Sequence, residues 1–274
     1  MNSTITSLRA INQIVAIGSV DGILTTAALL RVIGNPETPM LCSIGIPETS
    51  IVFVQAFTVD KVDVTKWASA RRVAFVDLAV NNREPAMTAS FVECIRAAGH
   101  EIVAIIDEHN AEDWLKALGT FEGLVVEPIS GKNTDRNSSG ALLLSVLGNE
   151  ADYQVRELCL AADAGDRMDF TTHFGGIVNQ AVKSKIADDS RRIYLARHLA
   201  ENHEADETIK EWIKEYQAIV ANHSEIENAK VDLGDGIIRI STIGRTVDMT
   251  TLLSGLYKSG ARVVVMFGEM YDKK

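Results

Sequence analysis

The sequence predicts an α/β protein with a doubly wound parallel-sheet domain, a helical connector and a smaller C-terminal α/β domain. Short β-branched runs alternate with helical patterns through the first two-thirds of the chain, which is typical of a parallel sheet with crossover helices. The predicted strands are apolar along nearly their whole length, as expected when both faces of a sheet are covered. A long charged segment then separates these patterns from a shorter second set.

Six segments of the first part have the length and composition of strands. They are 13–17, 40–44, 51–54, 73–76, 102–106 and 123–126. Helices are predicted where apolar residues repeat about every 3.6 positions. The clearest of these segments are 22–32, 86–98 and 112–118.

The remaining chain is divided into a connector and a second domain. Residues 188–222 are highly charged and carry one apolar stripe, which predicts a connecting helix. Beyond it, strand, helix and strand patterns follow at 237–240, 249–257 and 262–266. We therefore expect domains at 1–187 and 225–274, joined by a connector at 188–224.

Composition excludes some classes of partner. With 27 basic and 37 acidic residues the net charge is −10, which opposes sequence-independent binding to long nucleic acids or anionic membranes. The three cysteines, Cys42, Cys94 and Cys159, lie far apart in apolar runs and are interpreted as buried reduced thiols. No export signal is recognised at residues 1–10, and no run reaches the roughly 18 apolar residues of a membrane helix. We therefore expect a cytoplasmic protein, and the net charge leaves open a small phosphorylated ligand bound at one local site.

Polar residues follow three predicted strands directly. The first strand leads into 18–22 (Gly-Ser-Val-Asp-Gly), another ends at Asp77, and a third leads into 107–110 (Asp-Glu-His-Asn). Because ligands of open parallel sheets bind beyond the carboxyl ends of the strands, these groups are candidates for a site. At each single position a helix N-cap or turn role is an equally open interpretation.

These segments resemble, in order and spacing, the motifs of the DHH phosphoesterase superfamily. Residues 17–30 are similar to its first motif, His-x-Asp-x-Asp-Gly followed by a helix of small residues. Asp77 matches the lone Asp of the second motif, and 107–109 (Asp-Glu-His) matches the naming Asp-His-His motif. Further on, 138–141 and 161–163 resemble the family's small-residue helix start and its fourth metal-binding Asp.

The resemblance implies a metal centre that has lost some of its ligands. The family holds one cation with the His and the leading Asp of the first motif, and these positions are Ile17 and Ser19 here. The ligands of the other cation correspond to Asp21, Asp77, Glu108 and Asp163. Such an all-oxygen set favours a hard cation, namely magnesium, manganese or calcium, over zinc. We expect one bound ion rather than two.

Other positions are implied to contact phosphate. His109, which corresponds to the second His of the naming motif, and Asp107 are the expected catalytic residues. Ser138 and Ser139, at a predicted helix start, are expected to donate to phosphate. The alternatives are a hydrogen-bonded surface histidine and ordinary N-caps.

The C-terminal part resembles the DHH-associated domain, which holds substrate in the family. The matching residues are 247–253, whereas the expected Gly-Gly-Gly-His loop is reduced to 259–262 (Ser-Gly-Ala-Arg). Arg245, which follows Gly244 in a predicted loop, is the candidate for binding a phosphate bidentately. An exposed loop charge is the alternative.

Three further histidines are interpreted as surface or loop residues. His198 and His203 are five positions apart in the charged segment, a spacing that does not place two ligands on one helix face. For His173 a loop role is favoured over a position facing the cleft after Asp163.

The resemblance implies a metal-dependent phosphoesterase acting on a small phosphorylated substrate, such as a short oligonucleotide, a nucleotide or a cyclic dinucleotide. The alternative is a catalytically inactive DHH-like protein that binds a nucleotide, a phosphate or a protein partner. The lost ligands at Ile17 and Ser19 favour the alternative, whereas the retained acidic residues favour metal chemistry.

Overall fold

The computed structural model describes residues 3–34, 49–68, 70–130 and 137–268. The chain divides into two compact units, each described here by itself. The first contains Met1–Asn179 and Ala187–Ala205, and the second contains Gln180–Ile186 and Asp206–Lys274. The domain and connector boundaries given above stay a prediction.

The first unit is built on a four-stranded parallel sheet. Its strands are β1 (Gln13–Ile17), β2 (Ser50–Val54), β3 (Arg72–Val76) and β4 (Glu101–Ile106), in the order β2-β1-β3-β4. This confirms the α/β class. The expected strand at 123–126 is reduced to one bridge between Val126 and Ala104, and the expected strand at 40–44 lies outside the described residues.

Helices surround this sheet. They are α1 (Ser3–Arg9), α2 (Val20–Gly34), α3 (Pro85–Ala97), α4 (Ala111–Leu118), α5 (Ser139–Leu147), α6 (Tyr153–Asp166), α7 (His173–Lys183) and α8 (Asp189–Glu201). Helix α2 packs on α5, α6 and α8, and α3 packs on α4. The last turn of α7 belongs to the second unit.

Both faces of the sheet are covered. Consecutive residues of β1, from Ile14 to Ala16, are fully buried although their side chains point to opposite faces. On one face Phe75 stacks on Trp114 of α4, with ring centroids 5.2 Å apart. Burial of each large side chain of this kind contributes about 1.5–3 kcal/mol, so the apolar strand runs account for the position of the core.

The strand order creates a topological switch point. The chain leaves β1 toward β2 on one side, whereas β3 lies on the other side of β1. The carboxyl ends of β1 and β3 therefore border the crevice where ligands of doubly wound sheets bind. Asp77 directly follows β3 at this edge, with its backbone in the left-handed region at φ +54°.

The expectation of one connecting helix is corrected by the structure. Helix α8 ends at Glu201 and a separate helix, α9 (Glu207–Asn228), begins after residues 202–206. Asp206 caps α9 by accepting a hydrogen bond from Ile209 N at 2.9 Å. Residues 202–206 contain neither Gly nor Pro and remain rich in polar and charged residues. The sequence therefore carries no local signal that the helix ends here.

The second unit combines α9 with a small sheet and one more helix. Its strands are β5 (Val231–Asp232), β6 (Ile237–Ser241) and β7 (Val263–Phe267), and α10 (Met249–Lys258) connects β6 to β7. Strand β6 pairs with β7 in parallel and with β5 antiparallel. The core of this unit contains Ile226, Ile238, Ile240, Leu252, Leu256 and Ala261.

A buried polar network holds α10 to the rest of the second unit. Asp248 caps α10 and also accepts hydrogen bonds from Lys183 Nζ at 2.9 Å and Tyr216 Oη at 2.8 Å. The Asp248 backbone N–H donates to His223 Nε2 at 3.1 Å, which requires that nitrogen to be unprotonated. The network therefore depends on an ionised Asp248 and a neutral His223.

The prediction that the cysteines are buried is confirmed for Cys159 and is wrong for Cys94. Cys94 is exposed, because the apolar spacing of α3 places it on the solvent face of that helix. Cys42 lies outside the described residues. Among the helices in the described ranges, none is long and apolar enough to cross a membrane.

Candidate metal centre

Asp21 lies in the first turn of α2 and is buried. Its Oδ1 accepts from Thr25 Oγ1 at 2.8 Å and from Gly140 N at 3.3 Å. Its Oδ2 accepts from Ser139 N at 3.1 Å. The carboxylate of Asp21 is thereby held between the start of α2 and the start of α5.

Two glycines permit this close approach. A Cβ on Gly22 would lie 2.2 Å from the carbonyl oxygen of Ile17, and a Cβ on Gly140 would lie 2.6 Å from Ala162 Cβ. Any larger residue would therefore push α2 away from β1, or α5 away from α6. Gly22, the glycine of the first motif, is thus required both for the packing of α2 on β1 and for the space beside Asp77.

Asp77 is buried at the end of β3. Its Oδ2 accepts a short hydrogen bond from Ser19 Oγ, and the same hydroxyl oxygen accepts from Gly22 N at 2.8 Å. Ser19 is the residue at which the sequence resemblance implies a lost metal ligand. Here its side chain connects the first turn of α2 with the Asp77 carboxylate.

The segment after β4 carries three functional side chains. Asp107 is fully buried, with Oδ1 2.6 Å from His109 Nδ1 and Oδ2 accepting from Trp114 Nε1 at 2.7 Å. Glu108 accepts from Ser139 Oγ at 2.7 Å, and its Oε1 lies 3.6 Å from His109 Nδ1. Asp107 therefore orients the half-exposed imidazole of His109.

These side chains converge in two overlapping groups. Within each group, one potential ligand atom from every residue lies within 4.8 Å of the others. Glu108 belongs to both groups and joins them into one centre. The first group contains Asp77, Asp107, Glu108 and His109, and the second contains Asp21, Glu108 and Asp166.

Asp163 belongs to neither of these groups. Its Oδ1 accepts from Ser138 Oγ at 2.9 Å and its Oδ2 pairs with Arg167. Asp166, three residues later on α6, lies in the group with Asp21 and Glu108 instead. The motifs do not point to Asp166, but it lies three residues after Asp163, and residues three apart share a helix face.

Burial and mutual repulsion perturb the acidic groups. Burial, and then the neighbouring negative charges, raise the pKa of Glu108 to about 7 and that of Asp77 well above its usual range. Burial also raises the pKa of Asp21 to about 6, against the opposing hydrogen bonds that it accepts. The hydrogen bond to Asp107 raises the pKa of His109 to about 10, so its imidazolium supplies a positive charge beside these carboxylates. A bound cation would relieve the same repulsion.

Ser138 and Ser139 are already engaged in this structure. Ser138 caps α5 by accepting from Ala141 N at 3.0 Å, while its own hydroxyl donates to Asp163. Ser139 donates its hydroxyl to Glu108 and its backbone N–H to Asp21. Both serines therefore order the carboxylates, and contact with phosphate stays a prediction for them.

Arg245 lies in the second unit. It follows Gly244, whose φ is +71°, and its N–H donates to Thr242 O at 3.1 Å in a turn. Its guanidinium is 3.4 Å from Glu225, in an ion pair in which Glu225 is largely exposed. Its role in binding phosphate also stays a prediction.

No family model matches the sequence, and no curated protein matches it either. Several solved structures are similar to this chain in fold. A pGpG-specific phosphodiesterase, PggH of Vibrio cholerae, aligns with a TM-score of 0.59 and 11% identity over 94% of this chain and 78% of that protein. A DHH domain from a member of a family of ribosomal proteins aligns with a TM-score of 0.50 and 13% identity over 96% of this chain and 73% of that one. Identities this low establish shared architecture alone, so the chain has the same fold as these two structures, one of which is named as a DHH domain.

Proposed function

We propose that this protein is a metal-dependent phosphoesterase that acts on a small phosphorylated substrate. The observation that carries the proposal is the convergence of buried carboxylates and His109 at the switch point of the sheet. A structural role alone gives no reason to gather several acidic groups whose pKa values are raised by burial and repulsion. Cation binding does give such a reason.

The donor set fits one hard cation. We propose Asp21, Asp77 and Glu108 as ligands, with Asp163 or Asp166 of α6 as the fourth. Carboxylate oxygens suit magnesium or manganese, and a bound ion of this kind would polarise a phosphoryl oxygen. Ile17 has no ligand atom and Ser19 is engaged with Asp77, which favours one ion over two.

His109 and Asp107 are proposed to act on the phosphate together. Asp107 holds the Nδ1 side of the imidazole, so the Nε2–H of a protonated His109 is the donor that a phosphate could accept from. The buried Trp114 donates a hydrogen bond to the other oxygen of Asp107 and so holds the Asp107 carboxylate in place. The orientation of His109 therefore depends on a core residue. We assign substrate positioning and charge stabilisation to this pair.

The proposed substrate class is a short oligonucleotide, a nucleotide or a cyclic dinucleotide. The structural neighbour named as a pGpG-specific phosphodiesterase supports a linear dinucleotide as the first compound to test. The net charge of −10 argues against long nucleic acids as substrates. We also propose a cytoplasmic location, which the free thiols of Cys94 and Cys159 support.

A binding protein without turnover is the second candidate. It is favoured by one specific observation, the short hydrogen bond by which Ser19 engages Asp77 at the position of a lost ligand. In that case the carboxylates and His109 would still hold a cation and a phosphate, but without the second cation of a two-metal mechanism.

The deciding experiment incubates the protein with pGpG and manganese and follows product formation by chromatography. The phosphoesterase proposal predicts release of mononucleotide that is abolished by Asp77→Asn. The exposed Asp169, which accepts hydrogen bonds from Thr171, offers the matched control Asp169→Asn, which should keep wild-type turnover. Saturable pGpG binding without product would support the second candidate, particularly if Ile17→His with Ser19→Asp restores turnover and raises the manganese stoichiometry from one toward two.

A further inference from the structure

A second group of metal-binding side chains lies on the surface of the first unit. His173 is the first residue of α7, whereas His203 and Glu204 lie in the break between α8 and α9. The two imidazoles stack with ring centroids 4.7 Å apart and an interplanar angle of 13°. The tertiary fold thus brings together two ring systems that are 30 residues apart in the chain.

The distances within this group are close to those of a coordination sphere. Glu204 Oε1 lies 3.3 Å from His203 Nδ1, and Glu204 Oε2 lies 3.8 Å from His173 Nε2. One ligand atom from each of the three residues lies within 4.8 Å of the others. Tetrahedral zinc, with bonds of about 2.0–2.2 Å, places its ligand atoms roughly 3.3–3.6 Å apart. The two distances from Glu204 are therefore at that separation or slightly above it.

The chemistry of these donors differs from that of the buried centre. Two imidazoles and one carboxylate suit borderline cations such as zinc, whereas the buried centre is dominated by oxygen. The rings of His173 and His203 are 42% and 43% exposed, so an ion can reach them from solvent. The ring of Phe174 lies 4.9 Å from the His203 ring and 5.3 Å from the His173 ring, which restricts the motion of both.

Neighbouring hydrogen bonds position the loop and one of them competes with the metal. His198 Nε2 lies 2.8 Å from the Glu204 carbonyl oxygen and ties the loop to α8. His173 Nε2 lies 2.9 Å from the His203 carbonyl oxygen and donates to it. Coordination through His173 Nε2 requires the other neutral tautomer and exchanges this exposed hydrogen bond for a metal bond.

We infer that His173, His203 and Glu204 form a surface zinc site that fastens the loop 202–206 to the start of α7. Three protein ligands leave the fourth tetrahedral position to water. Residues 202–205 of the loop are the last residues of the first unit, and the chain enters the second unit at Asp206. The chain also passes between the units after Asn179 and after Ile186, so zinc orders one of three such connections.

The test is calorimetric titration of the full chain with zinc in saturating magnesium, which keeps the buried carboxylate centre occupied. Wild type is expected to bind one equivalent at micromolar zinc, and His173→Ala, His203→Ala and Glu204→Gln should each weaken that binding at least about tenfold, or 1.4 kcal/mol. The exposed Glu201→Gln is the matched carboxylate control, and Asp77→Ala is the control for the buried centre; both should retain the site.

Cobalt supplies an independent readout. The wild-type protein should show the visible absorption of tetrahedral cobalt(II), and the three site variants should lose it while keeping a wild-type circular dichroism spectrum. The inference is overturned if wild type binds no zinc at micromolar concentration, or if His173→Ala and His203→Ala bind it as wild type does. Loss of zinc binding in Asp77→Ala with retention in the histidine variants would likewise reject it and assign the zinc to the buried centre.

Discussion

Trp114 donates a hydrogen bond from its indole Nε1 to Asp107 Oδ2 at 2.7 Å, inside the core of the first unit. The other oxygen of this carboxylate, Oδ1, lies 2.6 Å from Nδ1 of the half-exposed His109. A core residue on α4 therefore determines the orientation of a candidate catalytic side chain, although Trp114 itself is fully buried.

We expect Trp114→Phe to keep the stacking on Phe75 while it removes the donor to Asp107. A hydrogen bond to a charged group contributes about 1.5–3 kcal/mol, so the free energy of unfolding should fall by about that amount in denaturant titrations. If Asp107 positions His109, the affinity for a phosphorylated ligand should fall as well. Phe75→Leu, which disturbs the same core without touching Asp107, is the control and should lose stability while keeping ligand affinity.

Manganese or magnesium is expected to stabilise the fold through the carboxylate centre. At about a hundred times its dissociation constant, a cation that binds only the folded state contributes roughly 2.7 kcal/mol to stability. Asp77→Ala should abolish the cation-dependent increase in melting temperature, and the exposed Asp169→Ala should leave it intact. A wild-type melting curve that is indifferent to millimolar manganese would contradict the proposed site.

The fourth ligand can be identified by comparing Asp166→Asn with Asp163→Asn. Asp166 is grouped with Asp21 and Glu108, whereas Asp163 is held by Ser138 and Arg167. We expect Asp166→Asn to weaken manganese binding, because it removes a carboxylate beside the other ligands. Asp163→Asn should chiefly lower stability. The reverse pattern in a manganese titration would assign the ligand to Asp163.

The stability of the second unit is expected to decline on acidification in two stages. Burial lowers the pKa of His223 below its usual value, so its contribution to stability is present above about pH 6.5 and is lost as the pH falls below it. Burial alone would raise the pKa of Asp248, but hydrogen bonds from Thr251, Lys183 and Tyr216 lower it to about 2. The stabilisation by Asp248 is therefore present above about pH 4 and is lost toward pH 2.

Denaturant titrations between pH 8 and pH 2 check both stages. His223→Gln keeps an acceptor for the Asp248 N–H but cannot be protonated, so it should remove the stage near neutrality. Asp248→Asn should flatten the stage at low pH. A stability profile with the same shape in wild type and both variants would show that the network does not titrate as described.

The substitution Arg245→Ala distinguishes two roles for this residue, a contact with phosphate and an exposed surface charge. The exposed pair with Glu225 contributes at most about 1 kcal/mol, so the melting temperature should change little. If Arg245 contacts phosphate, ligand affinity should fall by roughly 1.5–3 kcal/mol, the contribution of a charge-assisted hydrogen bond. Glu225→Ala breaks the same ion pair and is the control. Equal affinity in wild type and Arg245→Ala would assign Arg245 to the surface alone.

Local patterns in the sequence were sufficient to predict the four strands of the parallel sheet. The bounds of β1 match the prediction residue for residue, and β2, β3 and β4 each begin one residue earlier than expected. Buried parallel strands are short apolar runs whose signal is local, so it can be read without knowledge of the fold. Residues 123–126 are apolar as well, but only Val126 forms a bridge, to Ala104. Strand pairing depends on which segments lie next to each other in the fold, and the composition of a segment does not specify its neighbours.

Only the tertiary structure decided which side chains meet. The sequence by itself determined that Asp21, Asp77 and Glu108 follow strands and therefore reach one edge of the sheet. It did not determine that Asp166 rather than Asp163 joins Glu108, since this depends on the rotation of α6 about its axis. The meeting of His173 with His203 depends on the break after α8, which no Gly or Pro announces. Contacts between elements are set by packing, and packing is a property of the whole chain rather than of any local segment.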